Sequence, residues 1–319
     1  MICAKTAEEG VTTDLRVIKA IGNMIQEAGA TPLVGDCPGS AAYTNPESVF
    51  EATGLKELCR REGFELRVLD KEIPVSVSNP NGVVSKQFFV PSIAIQCDGL
   101  INAPKLKTHS LTTLTAGVKN FFGLLQGGQK AESHVRTKNN PEEFSNFLVD
   151  LYGAVSHKVK LDVLDAIVGM EGEGPTAGTP VQVNKVLASD SALALDQVAS
   201  ALIGWDPMTV GPSFAAAKRG IGPGSLEDVE IIGEELTPLD RPFRKPEIFE
   251  TEERFRKIRG TIECDESRCV RCGVCVQICP GRAITMLEHP AFDYDTCIHC
   301  FCCTELCPQS ALKVIRTLV

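Results

Sequence analysis

Two copies of one cysteine pattern near the C-terminal end restrict the fold of this chain more than any other feature of its sequence. Each copy has the spacing C-x2-C-x2-C-x3-C-P, and the two copies lie 28 residues apart. The cysteines are Cys269, Cys272, Cys275 and Cys279 in the first copy, and Cys297, Cys300, Cys303 and Cys307 in the second. The flanking residues repeat as well, which predicts two similar half-units, each with a loop, a short helix and a strand.

This spacing is the one with which bacterial ferredoxins hold [4Fe–4S] clusters, taking three thiolates from one copy and the fourth from the other. We therefore predict two [4Fe–4S] clusters. Their ligand sets are Cys269, Cys272, Cys275 and Cys307 for the first cluster, and Cys297, Cys300, Cys303 and Cys279 for the second. A zinc site and a disulfide framework are the alternatives, but zinc sites favour longer separations between CxxC pairs and disulfide frameworks suit small secreted domains.

The charge and hydropathy of the chain limit which partners and which cellular compartment can be expected. The net charge is −9 over 319 residues, and two clusters with their thiolates would lower it to about −13. Such a protein is not expected to bind nucleic acid and suits a basic patch on a redox partner protein. The N-terminal residues do not resemble a signal peptide, and no apolar stretch approaches the ~20 residues that cross a bilayer. These features, with thiolate ligands, predict a cytoplasmic protein.

Ahead of the cysteines, helical and strand patterns alternate, which predicts an α/β domain with a mostly parallel sheet covered by helices. We place this domain at 1–235, a charged linker at 236–261 and a small C-terminal α+β ferredoxin-type domain at 262–319. The pattern predicts helices over 14–28, 46–58, 141–157 and 191–203, and strands over 31–36, 64–69, 99–102, 161–169, 183–188 and 229–232.

Ligands of open α/β sheets bind beyond the carboxyl ends of the strands, and three segments of this chain carry reactive side chains at such positions. Asp36 ends one predicted strand, with a turn-forming role as the alternative. The segment 99–140 follows another with six Lys or Arg and one Glu, a cationic cluster that attracts small anionic ligands. Within it Lys105, Lys107 and His109 alternate, so they share one side if the chain is extended there. A solvated basic surface is the alternative.

A third candidate segment combines carboxylates with glycines. Asp162 and Asp165 lie in or at the end of a predicted strand, and Glu171 and Glu173 follow in a loop that has four glycines. Glycines let the backbone approach a ligand closely, and four carboxylates could hold a hard metal ion. A mobile surface loop with solvated acids is the alternative.

The stretch INAPKLKTHSLTTLTAGVKNFFGLLQGGQKAESH resembles the domain-of-unknown-function family 362, which is often fused to a two-cluster ferredoxin. VGDCPG, DAIVGMEGEGPTAGTP and ASDSALALDQVASALIGWDP support the resemblance, which covers nearly the whole first domain. It implies no settled activity. Family members usually have an apolar strand ahead of the pair Thr12-Thr13. Because only a few residues precede that pair here, we expect either that this first strand is missing or that the start codon is misassigned.

Nine residues match motif positions of the family. The candidate catalytic residues are Lys105, Lys107, His109 and Lys119, and the candidate ligand-binding residues are Asp36, Asn120, His134, Glu171 and Asp196. We favour a redox-coupled protein, a possible oxidoreductase, whose clusters relay electrons to or from a ligand site in the α/β domain. The alternatives are an electron carrier whose large domain docks partner proteins, and an accessory protein that handles metals or clusters.

Overall fold

A computed structural model describes residues 5–38, 46–126, 128–138, 140–246 and 260–316. Its helices are α1 (Leu15–Glu27), α2 (Pro46–Ala52), α3 (Leu55–Glu62), α4 (Ser92–Gln96), α5 (Gly117–Asn120), α6 (Gln129–Arg136), α7 (Pro141–Val155), α8 (Ala192–Leu202), α9 (Gly211–Lys218), α10 (Val274–Ile278) and α11 (Cys302–Glu305). Its strands are β1 (Leu33–Asp36), β2 (Glu65–Val68), β3 (Pro74–Ser78), β4 (Gln87–Pro91), β5 (Leu100–Asn102), β6 (Lys105–His109), β7 (Thr113–Thr115), β8 (Val159–Glu171), β9 (Thr179–Ser189), β10 (Gly260–Cys264), β11 (Ile284–Met286), β12 (Pro290–Phe292) and β13 (Leu312–Arg316). None of these helices combines the length and the apolar character that crossing a bilayer requires.

A five-stranded sheet lies at the centre of the first domain and confirms the predicted fold class. β5 and β6 both run parallel to β8, and β7 and β9 add antiparallel neighbours to β6 and β8. The apolar side chains Leu106 and Leu164 of this sheet are fully buried and pack with Leu195 of α8 and with Trp205. Helix α8 therefore covers the face of the sheet on which Leu106 lies, and the candidate residues that alternate with Leu106 on β6 belong to the other face.

The second core lies around α7, whose buried side chains Phe144, Leu148, Leu151 and Val155 recur at helical spacing. Asn140 caps this helix by accepting hydrogen bonds from the first-turn N–H groups. Helix α7 packs against α5, α9 and the β3–β4 hairpin. Burial of each large apolar side chain contributes about 2 kcal/mol, so this core holds the short helix α5 firmly.

A smaller layer contains the parallel pair β1 and β2 with α1 and α3. The predicted helix over 46–58 is in fact two helices, α2 and α3. The break follows from Gly54, which has a φ of 77°, a left-handed conformation that an α-helix does not tolerate.

Two further predictions of backbone structure are wrong. Residues 229–232 form no strand, and Ile232 is 87% exposed because no neighbouring strand pairs with it. The stretch 105–109, expected as a segment beyond a strand end, is itself the buried strand β6. In the segment predicted as a linker, Leu239 and Phe243 pack into the core beneath the sheet.

The small C-terminal α+β domain is built from two halves that repeat every 28 residues. β10 pairs with β13 and β11 pairs with β12, while α10 contacts α11. Left-handed residues recur at equivalent positions, Arg271 with His299 and Gly273 with Phe301. These backbone conformations curl each cysteine loop, so that several thiols face one cavity.

Candidate functional site

Two cavities in the C-terminal domain are lined by the eight motif cysteines. The first, about 340 Å³ with its open mouth, is lined by Cys269, Cys272, Cys275 and Cys307. The second, about 310 Å³, is lined by Cys279, Cys297, Cys300 and Cys303. Each cavity therefore brings three cysteines of one copy together with the last cysteine of the other copy.

The surroundings of these thiols suit an iron–sulfur cluster. Backbone N–H groups donate to the sulfurs of Cys279, Cys297 and Cys307 at 3.2–3.4 Å, and hydrogen bonds of this kind stabilise thiolate charge. The other lining residues are mainly apolar. Burial raises the pKa of Cys303 well above its usual range, so iron must displace a proton when it binds there. The donor set fits two [4Fe–4S] clusters.

The two cavities differ in their access to solvent. At the first cavity Cys272 is exposed, and Val270 and Leu287 nearby are 61% and 69% exposed. Each cavity has two buried cysteines, and at the second cavity the other two, Cys279 and Cys297, are only partly exposed. The first cavity is therefore the better placed of the two for contact with another protein.

Strand β6 places Lys105, Lys107 and His109 on one side, as the alternation predicts for an extended chain, and all three are buried. The alternative of a solvated basic surface is therefore wrong for these residues. Lys105 donates to Asp165 at 2.7 Å, and Asp165 also accepts backbone hydrogen bonds from Asp14 and Ile167. The Asp165 carboxylate thus accepts three hydrogen bonds, and the Lys105–Asp165 pair holds β6, β8 and the start of α1 together.

Lys107, His109 and Lys119 form what we call the cationic pocket. Lys107 donates to the carbonyl oxygen of Val11 at 2.7 Å. His109 accepts the N–H of Leu111 at Nδ1, so its neutral ring carries the proton on Nε2. Burial lowers the pKa of His109 well below its usual range, and the ammonium groups of Lys119 and Lys107 lower it further. The pocket therefore presents a neutral N–H donor beside two lysines.

Lys119 is the lysine of the pocket with an aromatic environment. Its ammonium group lies 4.2 Å from the ring centroid of Phe122 and 5.5 Å from that of Phe144. Burial lowers the pKa of Lys119 to about 8, although the carboxylate of Glu305 opposes this shift. His134 stacks on Phe144 with ring centroids 4.7 Å apart. The predicted residue His134 therefore supports the aromatic wall behind Lys119.

Asn120 and Asp196 belong to a buried polar network that fixes α5, the helix that carries Lys119. Asn120 donates to Asn102, which donates to Asp162. Asp196 accepts the N–H groups of Gly117 and Val118 at the start of α5. Burial nevertheless raises the pKa of Asp196 to about 7. These hydrogen bonds fix the start of α5 and the residue next to Lys119.

Glu171 and Asp36 lie in other surroundings. Glu171 accepts hydrogen bonds from Arg241 and Arg244, both in the segment predicted as a linker. Burial raises the pKa of Glu171, but these hydrogen bonds outweigh burial and hold the pKa at about 2. Asp36 ends β1, as predicted, close to Gly123.

The four carboxylates of the third candidate segment do not converge on a common point, so a metal ion held by all four is not supported. Asp162 bonds to Asn102, whereas Asp165 and Glu171 bond to basic side chains. Within the described residues, Cys264, Cys269 and His289 do come close together: their possible metal-binding atoms lie within 4.8 Å of one another. This group lies beside the first cluster cavity and includes none of the four carboxylates.

Helix α11 of the C-terminal domain docks on the cationic pocket. The Glu305 carboxylate lies 3.5 Å from His109 Nε2 and 3.5 Å from the hydroxyl of Ser110. Thr176, in the Gly-rich loop, donates to the carbonyl oxygen of Glu305 at 2.9 Å. Burial raises the pKa of Glu305 to about 7, while Lys119 and Lys107 oppose this shift. The pocket is therefore shared between the two domains.

Sequence reasoning missed Glu305, Ser110 and Thr176. A signal for Glu305 does exist in the repeat, because the equivalent position 28 residues earlier is Gln277. An acid that replaces an amide in one copy only indicates a role outside the duplicated fold.

An α/β domain whose sheet contacts a cysteine-rich ferredoxin-type unit defines a fused iron–sulfur protein. The sequence model described as "Domain of unknown function (DUF362)" matches residues 1–201, and the chain belongs to this family. A second model, described as "4Fe-4S dicluster domain", matches residues 268–311. The predicted fusion is thereby confirmed. A thylakoid-associated protein of Synechocystis sp. is 34% identical over 215 residues, which cover 66% of this chain and 63% of the relative. The chain thus matches less than two thirds of that relative's length.

Proposed function

We propose that two [4Fe–4S] clusters in this protein relay electrons between an external redox partner and a ligand bound in the cationic pocket. The match to a 4Fe-4S dicluster domain supports an iron–sulfur electron-transfer role. The observation that carries the link to the α/β domain is the contact of Glu305 with His109 and Ser110. Glu305 lies two residues after Cys303 and two residues before Cys307, so this contact adjoins ligands of both clusters.

The exposure of the cavities suggests the order of transfer. The first cluster would exchange electrons with the partner protein, because Cys272 is exposed there. The second would pass them toward the pocket, because α11 begins at Cys302, whose thiol interacts electrostatically with Lys119. The net charge of −9 favours a partner with a basic docking surface.

The pocket residues would bind the ligand and supply protons. His109 Nε2–H is a neutral donor, and Lys119, with a pKa of about 8, can donate a proton near neutral pH to a ligand that accepts electrons. Lys107 would add positive charge that favours a small anion. Asn120, Asp196 and His134 act as positioning residues for Lys119, in this proposal.

A second function, an electron carrier whose large domain docks partners, is favoured by one specific observation. Glu305 and Thr176 cover the pocket, and His109 is only 2% exposed. A carrier would leave this interface closed throughout its cycle. The accessory function in metal handling has no comparable support, because the carboxylates do not converge.

The relay is tested with anaerobic, reconstituted protein that contains about eight iron atoms per chain. After reduction with dithionite, re-oxidation of the clusters is followed by absorbance while a library of small anions, carboxylates and phosphates among them, is added. We expect one or more compounds to accelerate re-oxidation. Lys119→Met should abolish this effect without loss of iron, whereas Lys138→Met, which changes an exposed lysine of the same segment, should retain it.

The carrier function makes the opposite prediction. No compound would then accelerate re-oxidation of the clusters. The Lys119→Met variant would transfer electrons to an acceptor protein as fast as the wild type does. A preparation with four iron atoms per chain would contradict the two-cluster assignment itself.

A further inference from the structure

Glu305 reaches out of its own domain into a site made by the other one. Its side chain is 13% exposed, and its carboxylate faces His109 and Ser110 of the α/β domain. The ammonium groups of Lys107 and Lys119 interact with it electrostatically. The ferredoxin-type fold does not require an acid here, because Gln277, at the equivalent position of the first repeat, is exposed.

The carboxylate is held less tightly than the backbone that carries it. Its Oε1 lies 3.5 Å from His109 Nε2 and 3.5 Å from the Ser110 hydroxyl, whereas a well-formed hydrogen bond to a carboxylate usually measures about 2.7–2.9 Å. By contrast, Thr176 holds the main-chain carbonyl of the same residue at 2.9 Å. The pocket therefore offers donors that suit a carboxylate, but the carboxylate of Glu305 is not in close contact with them.

We propose that Glu305 is an internal occupant of a carboxylate-binding site formed by Lys107, His109, Ser110 and Lys119, and that the external ligand is a small carboxylate that displaces it. This inference rests on the proposed function for the location of the ligand site and adds the class of the ligand. The donors suit such a group: an imidazole N–H and a hydroxyl each lie 3.5 Å from it, and two ammonium groups interact with it electrostatically.

Displacement of Glu305 has a consequence for the clusters. The residue lies between Cys303 and Cys307, which belong to different ligand sets. A ligand that expels the carboxylate therefore acts on the segment that joins the two clusters. Occupancy of the pocket is in this way coupled to the electron path.

The proposal is tested by chemical rescue of Glu305→Ala in the anaerobic holoprotein, with propionate as the probe because it carries the lost carboxylate on a chain only one carbon longer than the group that the substitution removes. We expect millimolar propionate to raise the melting temperature of Glu305→Ala by several degrees, in a saturable manner. The wild type should need at least tenfold more propionate. Propionamide, which has the same shape without charge, should have no effect on either protein.

A second variant covers the case in which Glu305→Ala does not fold. Glu305→Gln keeps the size of the side chain and loses its charge, so propionate should displace it at a concentration at least tenfold lower than in the wild type. The added substitution His109→Gln should abolish the response in either background. Equal effects of propionate and propionamide, or a response that survives His109→Gln, would overturn the proposal.

Inorganic phosphate is tested as a second probe under the same conditions. A larger stabilisation by phosphate than by propionate at equal concentration would show an oxyanion site of a different class and would refute the carboxylate assignment. Iron content and dithionite reduction are measured on the same samples. If the clusters are reduced normally but propionate has no effect on the melting temperature, this inference is refuted and the relay is not. If propionate raises the melting temperature but no ligand accelerates re-oxidation of the clusters, the result contradicts the relay.

Discussion

Removal of the Lys105 ammonium group should cost stability rather than ligand binding. Lys105 and Asp165 are 3% and 0% exposed and are joined at 2.7 Å, with Asp165 also accepting the N–H groups of Asp14 and Ile167. Lys105→Met leaves that carboxylate buried without its cation, and breaking a buried pair in this way costs about 3–5 kcal/mol. For a domain of this size, 1 kcal/mol corresponds to roughly 2–4 °C, so we expect the melting temperature to fall by about 10 °C.

The assay is an anaerobic thermal scan at one fixed rate, because iron–sulfur proteins unfold irreversibly. Lys119→Met is the matched control, since it makes the same chemical change at a half-buried lysine that lies over aromatic rings, and it should shift the melting temperature by no more than about 3 °C. The double substitution Lys105→Met with Asp165→Asn should recover about half of the loss, because the amide oxygen still accepts a backbone N–H without carrying charge.

The reasoning fails if Lys105→Met and Lys119→Met lower the melting temperature equally. It also fails if the double variant is no more stable than Lys105→Met alone, because the loss would then not come from an unpaired carboxylate. In either case Lys105 would return to the group of candidate catalytic residues.

Three further changes test other parts of the structure. Glu171→Gln should destabilise the protein by about 1–2 kcal/mol at neutral pH, since its arginine partners are half exposed. The pKa of Glu171 is about 2 in the folded protein, below the usual 4.5. The difference in melting temperature between this variant and the wild type should therefore shrink as the pH falls from 4.5 to 2. Burial raises the pKa of Asp196 from 3.8 to about 7, so its protonated form contributes stability that is lost as the pH rises from about 4 to about 7. Asp196→Asn cannot ionise, so its melting temperature should rise relative to that of the wild type across this range and then keep a constant difference above it. Gly174→Ala would place a methyl group 2.0 Å from the carbonyl oxygen of Thr108, so we expect at least about 3 kcal/mol of destabilisation in denaturant titration and faster proteolysis of that loop.

The predictions that succeeded depend on short-range patterns. The cysteine repeat, the alternation on β6 and the helical periodicity of α7 each follow from spacing along the chain. Such spacing is imposed by the geometry of the strand and the helix, so it is readable without any tertiary information. The family assignment likewise came from contiguous stretches.

The predictions that failed depend on partners distant in the chain. An apolar stretch at 229–232 is compatible with a strand, but a strand forms only where another strand pairs with it. The glycines of the loop at 169–178 allow close approach either of a ligand or of another part of the same chain. In the structure Gly174 lies against Thr108 of β6. No local pattern distinguishes these outcomes.

The sequence by itself determined the eight thiol positions, the duplicated C-terminal unit and the α/β class of the domain ahead of it. Only the tertiary structure decided which cation is bound by a carboxylate and which faces the pocket, since Lys105 and Lys119 have the same chemistry in sequence. It also brought Glu305 to Ser110, a residue 195 positions away. The physical reason is that pairing and burial depend on packing across the whole chain, whereas residue spacing records only the local backbone geometry.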